Sequence, residues 1–214
     1  MKKLLSTVIV LALILAGLFY LFRDQLQYMA EESMTSNMFV SAEAATFNPG
    51  PRIGSDFPGV QASYRGRNVT LLEEFTGGNG VILIALRSVD WCPFCKKQLI
   101  QLQETHPLFE ANGIGLVAIT YDDPALQDAF SEEHSIRIPI LSDNQALSFK
   151  TLGILHPDYQ PGDENYGIPH PGLIILDREG EVVGKLFVED PYLRVDSKEV
   201  LRHAKKVLGV EGPL

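Results

Sequence analysis

The chain has 214 residues, enough for one domain of ordinary size rather than two. Its 45% hydrophobic and 21% charged residues exclude a disordered chain, and one long apolar run excludes a multi-span membrane protein. A net charge of −9 argues against nucleic acid as a partner, and two cysteines exclude a disulfide-rich scaffold and an all-cysteine zinc site.

Residues 4–22 carry no charge. As a helix they span about 28 Å, close to the hydrocarbon thickness of a bilayer. Lys2 and Lys3 precede the run, and Arg23 follows it with Asp24, Glu31 and Glu32 close behind. This bias predicts residues 1–3 as a cytoplasmic lead, 4–22 as a transmembrane anchor and the rest outside the cytoplasm, on the periplasmic or cell-surface side. A cleaved signal peptide is the competing reading, although the nearest small-x-small site, Ala42-Glu43-Ala44, lies far beyond the run. Residues 23–47 read as a stalk, closed by Asn48-Pro49-Gly50-Pro51, and 48–214 as the domain.

Within the domain, residues 69–75 have strand character and 81–86 form a continuous apolar run, as in a strand buried on both faces. A helix is predicted over 96–112, interrupted or kinked at Pro107, then a strand over 115–120. Next come a helix over Pro124–His134, a short strand at 138–141 and a short helix at 145–152. After a loop over 156–170 come strands at Gly172–Leu176 and 181–188, joined by an Asp177-Arg178-Glu179-Gly180 turn. The amphipathic helix Ser197–Leu208, capped by Ser197, closes the chain. The order predicts an α/β domain with a mixed central sheet and helices on both faces.

Both cysteines lie in Trp91-Cys92-Pro93-Phe94-Cys95, where a buried strand gives way to a helix. The unpaired N–H groups and partial positive charge of a helix amino terminus favour thiolate over thiol. Lys96 and Lys97 add charge nearby. The i, i+3 spacing puts both sulfurs on one face, so Cys92 can attack a substrate sulfur and Cys95 can resolve the mixed disulfide. The five histidines show no ligand spacing, so no metal and no cofactor is expected.

The strand–WCPFC–helix element, a late Pro and the Gly172–Leu176 strand with its turn resemble the thioredoxin fold. With Pro51-Arg52-Ile53-Gly54-Ser55-Asp56-Phe57-Pro58 and the stretch from Phe187 to Arg194, they resemble the alkyl hydroperoxide reductase/thiol-specific antioxidant (AhpC/TSA) redoxins and peroxiredoxin-like proteins. The resemblance implies a cis proline at Pro171, with His170 beside the sulfurs. Trp91, Pro93, Phe94, His170 and Pro171 are then the candidates for positioning substrate. It also exposes departures. Peroxiredoxins resemble a Thr-x-x-Cys pattern with the peroxidatic cysteine where Cys95 stands; here Cys92 replaces the threonine. Their peroxide-polarising arginine would fall near Pro171 and is absent, leaving Arg87 or Arg194 as substitutes. The buried carboxylate of thioredoxins, six residues before the first cysteine, is Leu86 here, which leaves water or Asp90 to move a proton.

Three functions follow. The first is a membrane-tethered thiol–disulfide oxidoreductase with protein thiols or disulfides as substrates and an electron donor or acceptor as partner. The second is a thiol-dependent peroxidase reducing hydroperoxides. The third is a module delivering Cu(I) through both thiolates and one histidine.

Overall fold

The structure, a computed structural model, describes residues 2–143 and 145–211, the side chains of residues 2–16 and 24 excepted. It divides into two compact units, Met1–Asn37 and Met38–Leu214. The first is helix α1 (Lys2–Thr35), about 50 Å long at the usual rise. Its apolar side chains at Leu18, Phe19, Tyr20, Leu21 and Phe22 are exposed. Among the described residues no helix is long and apolar enough to cross a membrane. The side chains of residues 4–16, most of the expected span, lie outside the described residues.

The second unit begins ten residues before the expected boundary at 48. Residues 38–47 are not stalk. Strand β1 (Phe39–Val40) pairs in parallel with β9 (Arg194–Val195), and Phe47 bridges to Phe187. Two of the backbone bonds here run from Arg194 N–H to Met38 O (2.8 Å) and from Asp196 N–H to Val40 O (3.0 Å).

The main sheet has the order β3-β2-β6-β5-β4-β7-β8. Strands β4 (Gly80–Ala85), β5 (Ile114–Thr120) and β6 (Ile140–Ser142) are parallel. On the other side of β4, β7 (Gly172–Leu176) and β8 (Val182–Phe187) are antiparallel, with Ala85 opposite Gly172. A Cβ at Gly172 would collide with the Phe187 ring, so this register requires glycine there.

The edge is a hairpin of β2 (Ala62–Tyr64) and β3 (Arg67–Val69), which replaces the strand expected at 69–75. Its turn residues Arg65 and Gly66 both have positive φ, +49° and +73°, as a two-residue hairpin loop that follows the strand twist requires. Glu73–Phe75 is a single 3-10 turn.

Alternation along β4 splits the core. Ile82 and Ile84 join Leu99 and Leu102 of α2 (Pro93–Ala111), Phe130 of α3 (Pro124–His134) and Val200 and Leu201 of α5 (Ser197–Leu208). Val81, Leu83 and Ala85 join Phe149 of α4 (Leu147–Thr151) and the loop residues Phe57 and Val60. Helices thus cover both faces, unequally.

Helix α2 starts three residues before the expected 96 and continues through Pro107 to Ala111 without interruption. Asp196, not Ser197, caps α5: its Oδ1 accepts the Lys198 N–H (2.9 Å). Its Oδ2 accepts from Gln101 Nε2 (2.7 Å), which ties α5 to α2.

Candidate active site

Cys92 and Cys95 form a disulfide at the amino end of α2. Cys92 is the N-cap, in an extended conformation, and its Sγ accepts the Cys95 N–H at 3.3 Å. Pro93 occupies the first helical turn, where a missing N–H costs nothing. Both cysteines are buried, at 1% and 0% exposure, so Cys95 is the deeper by very little.

The loop between β4 and α2 is fixed from below by Asp122 at the end of β5. Its carboxylate accepts from Ser88 Oγ (2.8 Å) and from Val89 N–H (2.7 Å). Ser88 Oγ in turn accepts from the Asp90 and Trp91 N–H groups (2.9 and 3.2 Å). Burial pushes the Asp122 carboxyl up, against the pull of Val89, Ser88 and Thr120. The next residue, Asp123, caps α3 instead, accepting the Ala125 N–H. Of the two adjacent aspartates after a buried strand only one caps the helix, and the other is free to turn inward.

Trp91 is 40% exposed at the rim. Its Nε1–H donates to Tyr121 Oη (2.8 Å), and the Arg87 guanidinium stands 5.0 Å from its ring centre. On the other side, Phe94 is half-buried and tilts against Tyr192 (5.2 Å between ring centres), itself 57% exposed. Asp90 is exposed. Leu86 is fully buried, so nothing at that position moves a proton.

Arg194 is 2% exposed and reaches the disulfide from β9. Its Nη2 lies 3.4 Å from Cys95 Sγ. Its Nη1 donates to the carbonyls of Leu193 (2.6 Å) and Pro191 (2.9 Å), and its Nε–H has no partner. Burial, with Arg87 adding to it and Asp190 opposing, pushes the guanidinium down to about 9, still a cation at neutral pH.

Pro171 and His170 depart from expectation. No peptide bond among the described residues is cis, so the His170–Pro171 bond is trans, the isomer favoured wherever context does not override it. Pro171 is buried where β7 begins, at the end of the sheet where β4 hands over to the CxxC loop. His170 makes no hydrogen bond to either sulfur. Its ring packs on His156 (4.5 Å) and Phe47 (4.9 Å), and its N–H donates to Ile154 O. Among the described residues no three His, Cys, Asp or Glu side chains cluster to hold a metal ion.

The AhpC/TSA family model matches residues 53–185, more than half the chain. The chain belongs to the AhpC/TSA family. A thiol–disulfide oxidoreductase ResA from Geobacillus thermodenitrificans is 23% identical over 206 residues, covering 95% of this chain and 97% of the relative. A chloroplastic peroxiredoxin Q from Gentiana triflora is 26% identical over 117 residues, 55% of this chain and 50% of the relative. Among solved structures, a peroxiredoxin-like protein from Aquifex aeolicus superposes with a TM-score of 0.60 at 20% identity, covering 75% of this chain and 90% of that one. Reduced Prx3 with hydrogen peroxide from Vibrio vulnificus gives 0.62 at 19% identity, covering 72% and 99%. These establish a thioredoxin-like fold. Taken with the CxxC disulfide, this AhpC/TSA member is an oxidoreductase acting on thiols.

Sequence reasoning named Cys92, Cys95, Trp91, Pro93 and Phe94, which the structure brings together. It left Arg194 as one of two substitutes, and it missed Tyr121 and Tyr192.

Proposed function

We propose that this AhpC/TSA protein is a membrane-tethered thiol–disulfide oxidoreductase whose redox domain lies outside the cytoplasm. Cys92 and Cys95 are the exchanging pair: Cys92 forms the mixed disulfide with a protein substrate, and Cys95 resolves it. The observation that carries this reading is the Cys92–Cys95 disulfide at the N-cap of α2. Trp91, Pro93 and Phe94 form the approach to it, and Pro171 sits at the sheet end behind it. An oxidising compartment implies a dithiol partner that returns electrons, or an acceptor that removes them. The uncharged run 4–22 behind Lys2 and Lys3 supports the tether.

The test is thiol-dependent reduction of insulin disulfides by the full-length chain in detergent. Wild type turns over and Cys92→Ser does not. Cys95→Ser accumulates a mixed disulfide visible without reductant. Equal turnover by the double serine variant sinks the reading.

A peroxidase reading has one observation in its favour. Arg194 stands against Cys95, the position where the family resemblance puts a peroxidatic cysteine. Consumption of hydroperoxide with a dithiol donor, lost in Cys95→Ser, would establish it.

A further inference from the structure

Arg194 is a buried cation whose hydrogen bonds go to neutral groups: two carbonyls and one sulfur of a disulfide. An unpaired charge in the interior is costly, and a counter-charge within contact relieves it. In the oxidised protein Cys95 offers no charge. In the reduced protein a Cys95 thiolate would sit 3.4 Å from Nη2. Cys92 has a different donor, the single Cys95 N–H and the helix end.

The geometry points to Arg194 as the residue that receives the Cys95 thiolate when the disulfide opens, so that the centre is easily reduced and takes up one proton rather than two. This rests on reading Cys92–Cys95 as the exchanging pair. A thiolate of a dithiol donor attacks Cys92 Sγ, the sulfur beside exposed Trp91. A donor–Cys92 disulfide forms, the Cys92–Cys95 bond breaks, and its electron pair leaves on Cys95. The donor's second thiolate then displaces Cys92, which takes one proton. In sum, protein disulfide and donor dithiol give a Cys92 thiol, a Cys95 thiolate, donor disulfide and one released proton. A leaving thiol of lowered pKa departs faster, so Arg194 directs attack to Cys92. The charged groups acting on the guanidinium are Arg87, from the β4–α2 loop, and Asp190, from the β8–β9 loop. Arg194 is therefore a positioning residue that acts through Cys95.

The test is equilibration of the full-length chain with reduced and oxidised glutathione over pH 5.5–7.5, a range in which glutathione exchanges about two protons per electron pair. In wild type the reduced-to-oxidised ratio rises about tenfold per pH unit, because one proton is released. In Arg194→Met it is flat, so the variant falls behind toward disulfide by about a further tenfold, equal to about 30 mV, with each pH unit. Arg194→Lys keeps part of both effects. Thiolate ultraviolet absorbance in Cys92→Ser, which retains Cys95, titrates below the ordinary thiol range. This last measurement stands even where Arg194→Met fails to fold. A flat ratio in wild type, or a thiolate found in Cys95→Ser and not in Cys92→Ser, overturns the inference. Unchanged turnover in both serine variants overturns the exchange reading instead.

Discussion

The disulfide is gripped from two regions built on opposite terms. On the Cys92 side, the β4–α2 loop and the end of β5 come from adjacent parallel strands. Their polar groups satisfy one another: Asp122 accepts from Ser88 and Val89, Ser88 Oγ accepts from Asp90 and Trp91, and the Trp91 indole donates to Tyr121. On the Cys95 side, a single residue arrives from β9, 99 positions further along the chain, with an unpaired Nε and no carboxylate among its hydrogen-bond partners. One region is hydrogen-bonded throughout and sets geometry. The other is left electrically incomplete and responds to the redox state.

Breaking the first region has the largest expected effect on stability. Asp122→Ala leaves the Ser88 hydroxyl and the Val89 N–H buried without acceptors, at about 1–3 kcal/mol for each donor. Urea unfolding should show a loss of several kcal/mol, and Asp122→Asn, which keeps one acceptor oxygen, a smaller one. Equal losses would mean that the carboxylate does not fasten this loop.

The rim comes next. Trp91→Ala removes an exposed aromatic together with its bond to Tyr121, and should raise KM for a protein disulfide about tenfold, as expected for an aromatic anchor. The glutathione equilibrium should stay where it was, because the indole N–H donates to Tyr121 and not to either sulfur. A shift in that equilibrium would merge the two regions into one. Tyr192→Ala, on the opposite flank against Phe94, should raise KM less, since it gives up a ring contact and no hydrogen bond.

The smallest effect lies away from both. Burial, with His156 adding to it, holds His170 below its ordinary value of 6.5. The unfolded chain then binds more protons than the folded one between the two values. Stability is complete above about pH 6.5 and is lost as pH falls toward the folded value. His170→Phe should flatten that slope in thermal unfolding between pH 7 and 5 without changing disulfide exchange.

How far these features could be read from residues follows from what each costs the chain. The runs 81–86 and Gly172–Leu176 were legible because a strand buried on both faces admits nothing polar. CxxC was legible because both cysteines of the chain lie in it at a strand–helix junction. The β2–β3 hairpin was not, because its turn puts Arg65 at positive φ, where Asn, Asp or Gly would have announced it. The α5 cap was misplaced by one residue because Asp196 and Ser197 are both good caps, and the bond from Gln101 selects between neither by local rule. Arg194 was one of eighteen Lys and Arg residues, and nothing in its neighbours marks it as interior. Its depth comes from tertiary placement of β9, which periodicity does not report over two residues.

Strand β1 gives the amino-terminal segment a mechanical meaning. The chain leaving α1 enters the domain through Phe39 and Val40, and the strand they pair with carries the guanidinium. A pull on the chain at Asn37 is therefore borne first by the Arg194–Met38 and Asp196–Val40 backbone bonds. A fragment trimmed to residue 48 would sever that brace, and its potential would be that of a loosened centre rather than of the native one.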